Sequence, residues 1–277
     1  MSGGGRTLSH QRTGELRLRT IDVGGIPFVA TNVEGVEAWL LAHGMTHGPE
    51  SGVNVRFLNA YCVALASRNP EYRDMVCNSG VNFPDGKPVA WVMRLKARKR
   101  RDLHPEQTRG PSVFARVLSS RGRADVRHFF LGATPETLAS IVNRVEQDNP
   151  DARIAGTFSP PFAEPDQEYI ETCATHISEA NPTIVWIGLG TPKQDFVGAR
   201  LAGATSSLCV NVGAAFDFYA RTTAEAPTWM QRAGLEWLHR LVSEPRRLAR
   251  RYFVGNVQFL WAVLRYDVFG RVEQRPS

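Results

Sequence analysis

The 277-residue sequence predicts an α/β fold in which helices cover both faces of a mostly parallel sheet. Three observations support this prediction. Short apolar runs alternate with helix-length segments along the chain, and the run Ile184–Ile187 is continuously apolar, as in a strand buried on both faces. Several of these runs also end at Gly, Asn or Asp just before a helix start, where open α/β sheets hold their ligands.

The patterns at the start of the chain are short. Residues 21–31 read as an opening strand or hairpin with a Gly-Gly turn, and residues 33–43 have helical apolar spacing. Residues 53–61 predict a strand that runs into a loop near Asn59. Residues 62–77 predict a helix that breaks and restarts at Asn69-Pro70.

A short strand, a tight turn and a helix follow within residues 81–96. Pro84-Asp85-Gly86 predicts the turn, and the helix starts near Lys87-Pro88 because proline suits a first helical turn. Residues 94–110 are strongly basic, and we expect an irregular, mobile loop there. Further strand units are predicted at 126–147 (with a helix N-cap at Thr134), 152–162, 182–202 and 207–218, the last strand ending at Gly213 and Asp217.

Composition limits the class of protein. Hydrophobic residues make up 43% and charged residues 22%, which indicates a globular chain. Four cysteines without a C-x-x-C pair argue against a disulfide scaffold or a structural zinc site and indicate a reducing cytoplasm. The net charge of +6 comes mostly from arginine, which suits phosphate or carboxylate partners. Three kinds of partner therefore stay open for this basic chain: nucleic acid, an anionic membrane and a phosphorylated substrate.

The two ends of the chain differ from its middle. Residues 1–20 predict a flexible leader without a secretion signal, and no segment is apolar enough to span a membrane. From Ala226 the sequence becomes helical, aromatic and arginine-rich, with a helix stop and restart at Ser243–Pro245. Such helices are typical of membrane-surface segments, but ordinary helices packed on the sheet would show the same pattern.

Common cofactor and metal motifs are missing. Gly188 and Gly190 form G-x-G, but Lys193 occupies the third glycine position of the dinucleotide-binding motif. His43 and His47 have the spacing of helix-borne metal ligands within loop-like sequence. We therefore predict neither a metal nor a cofactor.

Asp85 is the best candidate for a general base. A carboxylate on a rigid turn at the carboxyl edge of a sheet has a fixed direction, as deprotonation of a sugar hydroxyl requires. The alternative is an ordinary Pro-Asp-Gly turn. The segment Gly188–Gln194 suits a phosphate or a sugar, and Asp217 could accept hydrogen bonds from sugar hydroxyls. The alternative for Gly188–Gln194 is a turn that binds no ligand, and the alternative for Asp217 is a helix or loop cap.

Three arginines in the C-terminal segment could bind a diphosphate. Arg240, Arg247 and Arg250 share a face if the helices continue in phase. A solvated basic face is the alternative.

Taken together, the motifs resemble the WecG/TagA/CpsF glycosyltransferase family (glycosyltransferase family 26). The resemblance runs from about residue 21 to residue 266 and rests on motifs whose combination is specific: Phe57–Ala60, Pro84–Gly86, Arg109-Gly110, Phe130–Gly132, Ile187–Gln194, Val212–Phe218, Ala226-Pro227, Gly234–Leu241, Glu244–Arg247 and Arg250–Tyr252.

The resemblance implies an inverting enzyme that works without a bound metal. It would move an N-acetylmannosamine-type or other hexose from a UDP-sugar to a lipid-diphosphate-linked sugar, at the cytoplasmic face of the membrane. The implied fold is a Rossmann-like domain, here residues 21–225, followed by a helical, basic, membrane-proximal appendage, here residues 226–277.

The resemblance also assigns residues to roles. Asp85 becomes the base, Gln194 and Asn59 line the donor or acceptor pocket, and Arg240, Arg247 and Arg250 reach the leaving diphosphate. The remaining motif positions are expected to bind substrate: Gly86, Arg109, Gly132, Gly188, Gly190, Pro192, Lys193, Gly213 and Asp217.

Four positions depart from the family pattern. Phe57 replaces a threonine, Ser112 an aspartate, Asp195 a glutamate and Glu225 an arginine. These departures leave the identity of the donor sugar open and leave room for a different acceptor. Whether the protein forms a homo-oligomer also stays open. Two alternatives stay open, a nucleic-acid-binding protein using residues 94–101 and 246–251 and a catalytically silent scaffold. We expect no nucleic acid partner, because no recognised binding motif is present.

Overall fold

A computed structural model describes residues 18–46, 52–100, 102–243 and 245–269. The strands are β1 (Thr20–Val23), β2 (Ile26–Val29), β3 (Val53–Leu58), β4 (Val81–Pro84), β5 (Arg127–Gly132), β6 (Arg153–Phe158), β7 (Ile184–Gly188) and β8 (Leu208–Asn211). Strands β1 and β2 form an antiparallel hairpin. The other six form a parallel sheet in the order β4-β3-β8-β7-β5-β6. The predicted Rossmann-like α/β class is confirmed.

Helices lie on both sides of this sheet. They are α1 (Val33–Thr46), α2 (Ala60–Ala66), α3 (Pro70–Asn78), α4 (Lys87–Ala97), α5 (Gly110–Ser119), α6 (Pro135–Asp148), α7 (Gln167–Ala180), α8 (Lys193–Thr205), α9 (Ala215–Tyr219), α10 (Thr228–Ala233), α11 (Glu236–Ser243) and α12 (Pro245–Val263), which continues as a π-helical turn, Leu264–Phe269.

Strand residues alternate between two apolar layers. Trp186 packs with α1, α5, α6 and α9 on one face, whereas Val185 and Ile187 pack with α7 and α8 on the other. The hairpin, α2, α3, α4 and α12 form a further apolar cluster around Phe28 and Leu58. Burial of β7 on both faces explains why this strand is apolar throughout.

The register brings the strand ends together. Leu58 pairs with Pro84, Ile187 with Asn211, and Gly132 with Gly188. Because the strands are parallel, the loops that leave them all open at one edge of the sheet. This edge positions the candidate site.

Helix α12 packs on α2 and is anchored at its far end. Among the residues of α12 whose burial the structure describes, Gly255, Phe259 and Ala262 are buried. In the π-helical turn, the carboxylate of Asp267 accepts hydrogen bonds from the backbone of Gly24 at 2.9 Å and Gly25 at 3.1 Å, in the hairpin turn. Among the described residues, no helix combines the length and apolar character that crossing a membrane requires.

Several local predictions need correction. Arg94–Ala97, predicted to be irregular, complete α4, because Arg and Lys are good helix formers and the amphipathic period continues through them. Strand β8 ends at Asn211, and residues 215–219 form the short helix α9 instead of continuing the strand. Helix α1 extends to Thr46, so His43 is helical, and His47 lies outside the described residues.

The predicted chain ends are described only in part. Residues 1–17 and 270–277 lie outside the described residues, and Thr20 already pairs with Val29 in the hairpin. The predicted stop and restart near Pro245 agrees with the end of α11 at Ser243 and the start of α12 at Pro245.

Candidate active site

A cleft of about 330 Å³ opens where the carboxyl edge of the sheet meets the C-terminal helices. One wall comes from Asn59, Asp85 and Ala214, which follow β3, β4 and β8. The other walls come from the start of α5, residues 223–226, the α10–α11 junction and α12. The cleft therefore depends on the sheet and on the C-terminal helices together.

Asp85 lines the cleft from a firmly held turn. Its backbone N–H donates to the carbonyl of Leu58 at 2.9 Å, which ties the end of β4 to the end of β3. Thr108 donates to the Pro84 carbonyl from its N–H at 2.8 Å and from its hydroxyl at 3.1 Å. Gly86 follows with φ +95°, a conformation that residues with a Cβ rarely adopt, and caps α4. The carboxyl group thus stands on a rigid backbone.

Asn59 lies beside this turn. Its Oδ1 atom accepts hydrogen bonds from the N–H groups of Tyr61 at 3.0 Å and Cys62 at 3.3 Å, so the side chain caps α2. An ideal Cβ built on Gly86 would lie 3.7 Å from the Asn59 Cβ. With Oδ1 engaged in capping, a ligand in the cleft would meet the Nδ2 group as a donor.

Arg109 joins the sheet to the C-terminal helices. Its Nε donates to Glu236 at 3.0 Å, and Nη2 pairs with Glu225 at 2.5 Å. Nη1 donates to Gln231 at 2.8 Å and to Ser112 at 3.0 Å. Burial lowers the pKa of Arg109, but Glu236 and Glu225 together outweigh burial and raise it. Its guanidinium is therefore committed to protein partners.

Three further polar side chains line the cleft. Asp217 of α9 is half-buried, and this burial raises the pKa of its carboxyl group. Lys87 opens α4 directly after the Asp85–Gly86 turn. Gly234, at the end of α10, packs against the aliphatic stem of Lys87. His239 of α11 completes the set.

Gln194 lies behind the cleft and does not line it. The side chain is 5% exposed, and its Oε1 accepts a hydrogen bond from the N–H of Gly190 at 3.1 Å. Its amide also packs against Gly213, directly before Ala214 of the cleft wall. Gln194 therefore joins the loops that leave β7 and β8.

The other predicted residues of these loops lie away from the cleft lining. A Cβ on Gly132 would lie 2.6 Å from the Gly188 carbonyl oxygen, so glycine allows β5 and β7 to end close together. Gly190 and Pro192 belong to the turn before α8. The Lys193 ammonium donates to the Ala163 carbonyl and lies 4.6 Å from the Tyr169 ring. Lys193 is thus directed towards the start of α7.

The side chains of Arg240, Arg247 and Arg250 lie outside what the structure describes. Their backbones belong to α11 and α12, which are separate helices. Arg240 therefore lies on a different helix from Arg247 and Arg250, because the chain restarts at Pro245, and the shared face stays a prediction.

A buried polar network supports the start of α8. The hydroxyl of Tyr72 donates to Oδ2 of Asp195 at 2.8 Å, and Asn54 donates to the Asp195 carbonyl at 3.0 Å. Burial raises the pKa of Asp195 to about 6, although Tyr72 and the buried Arg56 both lower it. Asp195 adjoins Gln194, so this network fixes the helix that carries Gln194.

Comparison with known proteins identifies the family. The model of the glycosyl transferase WecG/TagA/CpsF family matches residues 21–273. The chain belongs to this family. As a WecG/TagA/CpsF member it is a glycosyltransferase, in agreement with the resemblance of its motifs.

Two similar proteins carry the same name, N-acetylglucosaminyldiphosphoundecaprenol N-acetyl-beta-D-mannosaminyltransferase. The protein from Bacillus subtilis strain 168 is 26% identical over 234 residues, which cover 84% of this chain and 87% of its own length. The protein from Bacillus spizizenii strain ATCC 23059 / NRRL B-14472 / W23 is 28% identical over 205 residues, covering 73% of this chain and 75% of its own.

Two departures from the WecG/TagA/CpsF pattern meet at one place. Ser112 and Glu225 both contact Arg109. The family pattern has an acid at the first position and a base at the second, so the charges around Arg109 are rearranged in this member. A third departure, Phe57, is 7% exposed and stacks on Phe83 at 5.7 Å, so it belongs to the core.

Several cleft residues were not predicted from the sequence. Lys87, Trp91, Glu236, Trp237 and His239 all line it. The position of Lys87 directly after Pro84–Gly86 was a usable signal, because a helix start next to a candidate base is a natural anion site. The others become visible only once α11 packs against the sheet edge.

Proposed function

We propose that this glycosyltransferase moves a hexose of the N-acetylmannosamine type from a UDP-sugar to a lipid-diphosphate-linked sugar in cell-surface polysaccharide synthesis. The observation that carries the proposal is Asp85, held on a rigid turn in a cleft at the carboxyl edge of the sheet. Family membership and the names of the two relatives support the choice of substrates.

Asp85 would act as the general base. Its carboxylate takes the proton from an acceptor hydroxyl while that oxygen forms a bond to the anomeric carbon. The bond from that carbon to the diphosphate breaks, and UDP leaves with the electron pair. Because a single displacement occurs, the anomeric configuration inverts.

Charge in the cleft must be balanced for UDP to leave. Among the described lining residues, Asp85, Asp217, Glu225 and Glu236 are acidic, and Arg109 is paired with the last two. Lys87 is then a cation that no described ion pair engages, at the N-terminus of the 11-residue α4, where the helix dipole favours anions. We assign the leaving diphosphate to Lys87 together with Arg240, Arg247 and Arg250 of the appendage.

The enzyme would act at the inner face of the membrane as a peripheral protein. Helix α12 and its π-helical turn expose an apolar stripe opposite their buried side. We call it the α12 stripe; it consists of Val254, Val257, Trp261, Leu264 and Val268. Trp261 is 49% exposed and Val257 68%. An exposed helical stripe of this kind is typical of helices that lie in a membrane interface, where a lipid-linked acceptor resides.

The test is a transfer assay with a panel of UDP-sugars and a short-chain lipid-diphosphate acceptor. We expect one UDP-N-acetylhexosamine to give a product with inverted anomeric configuration by NMR, and the activity to persist in EDTA. No transfer from any donor, with no UDP-sugar binding by calorimetry, would contradict the proposal and favour a silent scaffold.

A further inference from the structure

A second cavity lies away from the cleft, between the end of α4 and the segment that leads to α5. Its volume is about 350 Å³. Three arginines and a histidine line it, Arg94, Arg98, Arg100 and His104, against a single carboxylate, Glu106. We call it the arginine pocket. Its excess of positive charge suits an anion, and guanidinium groups bind phosphate oxygens in a bidentate manner.

The arginine pocket is tied to the rest of the fold. The Arg94 Nε donates to the Pro105 carbonyl at 3.0 Å, so one arginine bridges α4 and the segment opposite. The N–H of Glu106 donates to the carbonyl of Thr31 at 2.9 Å. Within the described part of the chain, no side-chain hydrogen bond or ion pair engages Arg98. Arg100 is attracted electrostatically to the exposed Asp102, which itself pairs with Arg19. Arg98 is therefore the arginine of the pocket that can turn to a ligand most readily, and Arg100 can join it.

The arginine pocket continues an apolar surface along α4. Trp91 is 55% exposed and Leu95 is 62% exposed. Because an α-helix turns about 100° per residue, Arg98 lies within about 20° of Trp91 around the axis, and Arg94 and Leu95 flank this line. The exposed face that runs along α4 and its C-cap thus carries both apolar side chains and arginines.

This face of α4 adjoins the α12 stripe. Trp91 lines the cleft together with Gly255 and Asn256 of α12. Near the other end of α4, Lys96 pairs with Asp267 of the π-helical turn at 2.7 Å. The exposed apolar residues of both helices therefore belong to neighbouring elements, and the arginine pocket lies at their border.

We propose that the arginine pocket binds the phosphate-bearing headgroup of an anionic phospholipid and gives the enzyme a charge-selective membrane contact outside its cleft. The proposal rests on the peripheral membrane placement proposed above. A headgroup phosphate lies directly above the acyl region that the α12 stripe and Trp91 would enter, so one membrane surface satisfies both features. RNA is the weaker occupant, because His104 is the one aromatic ring among the described lining residues, whereas single-stranded RNA binding uses several rings on which successive bases stack.

Vesicle binding of the full chain tests this proposal. The variant Arg98→Gln/Arg100→Gln is compared with Arg121→Gln/Arg153→Gln, which removes the same charge from exposed sites near β5 and β6, across the sheet from β4. On equimolar phosphatidylcholine–phosphatidylglycerol vesicles we expect the pocket variant to bind about ten- to thirtyfold more weakly than wild type, and the control to lose less than about twofold. On pure phosphatidylcholine all three should bind alike, and transfer to a short-chain acceptor should be unchanged.

Other results would overturn the proposal. Equal binding of the two double variants to the mixed vesicles would mean that the loss of net charge alone explains the weaker binding. Displacement of the mixed vesicles by inorganic phosphate at matched ionic strength would indicate a site for a free anion. Single-stranded RNA binding that the pocket variant alone loses, with vesicle binding intact, would indicate RNA. Failure of the wild type to bind either vesicle would refute the membrane placement itself, whereas the transfer assay would still report the enzyme's activity.

Discussion

The chemistry of the site depends on how single residues are held. Asp85 lies on a turn that hydrogen bonds with Leu58 and Thr108 hold in place, so the backbone position of its carboxyl group does not depend on a bound ligand. The side-chain oxygen of Asn59 accepts the hydrogen bonds that cap α2. Gln194 is buried behind the cleft and joins two loops. A change at Gln194 should therefore act through the position of the loop after β8 and through the cleft wall at Ala214.

Asp195 makes stability depend on pH. Its pKa is about 6 in the folded chain and about 3.9 in an unfolded one, so the folded state binds the proton more tightly. The resulting stabilisation is complete below about pH 4 and is lost as the pH rises past about 6. Asp195→Asn keeps a neutral acceptor for Tyr72 and removes this dependence. We expect the variant to gain about 2 kcal/mol over wild type between pH 4 and pH 7 in urea unfolding.

The exposed Asp151→Asn variant is the matched control for this measurement. Its difference from wild type should stay nearly constant over the same pH range. A constant difference for Asp195→Asn as well would mean that Asp195 is ionised in the fold with an ordinary pKa.

At the scale of elements, Arg109 holds α10 and α11 on the sheet edge. Arg109→Gln would leave Glu236 partly buried without its cation and remove the contacts to Glu225 and Gln231. We expect a loss of about 2–4 kcal/mol in the free energy of unfolding and faster proteolysis within residues 226–243.

Arg116→Gln is the comparison variant for Arg109. The Arg116 side chain, which pairs with Glu34 and Glu37, is 46% exposed against 12% for Arg109, and surface pairs contribute less than about 1 kcal/mol. If Arg109→Gln instead keeps full stability and proteolytic resistance but loses substrate binding, Arg109 serves the ligand, as the family resemblance implies.

Helix α12 has two apolar sides, one buried and one exposed. Its buried side packs on α2, so the α12 stripe should be dispensable for folding. We expect Val257→Ser/Trp261→Ser to weaken binding to phosphatidylcholine vesicles about tenfold, with an unchanged melting temperature. Phe162→Ser, at an exposed aromatic away from the stripe, should bind vesicles as wild type does. A large fall in the melting temperature of the double variant would mean that Val257 and Trp261 stabilise the folded state.

For the whole molecule, local sequence patterns predicted the sheet and its edge. The apolar run of β7, the cap at Thr134 and the turn at Pro84–Gly86 each depend on neighbours in sequence, and the structure has them at the expected places. The cleft itself depends on contacts between distant residues. Arg109 and Glu236 are 127 positions apart, so no local spacing could show that they are paired.

The errors of the sequence analysis have physical causes as well. A run of basic residues resembled a loop, but Arg94–Ala97 continue a helix because charge does not break helical periodicity. Substrate binding by Gly188, Gly190 and Lys193 stays a prediction. The fold shows that these residues also serve close strand packing, a turn and a contact with the start of α7.

The central claim is that the Asp85 carboxylate takes the acceptor proton. The most direct measurement is the turnover number of Asp85→Asn beside that of Asp217→Asn, with donor binding measured by calorimetry. We predict that Asp85→Asn lowers turnover about 10²–10⁴-fold while donor affinity stays within about threefold, and that Asp217→Asn acts mainly on binding. Turnover of Asp85→Asn close to that of wild type would contradict the account.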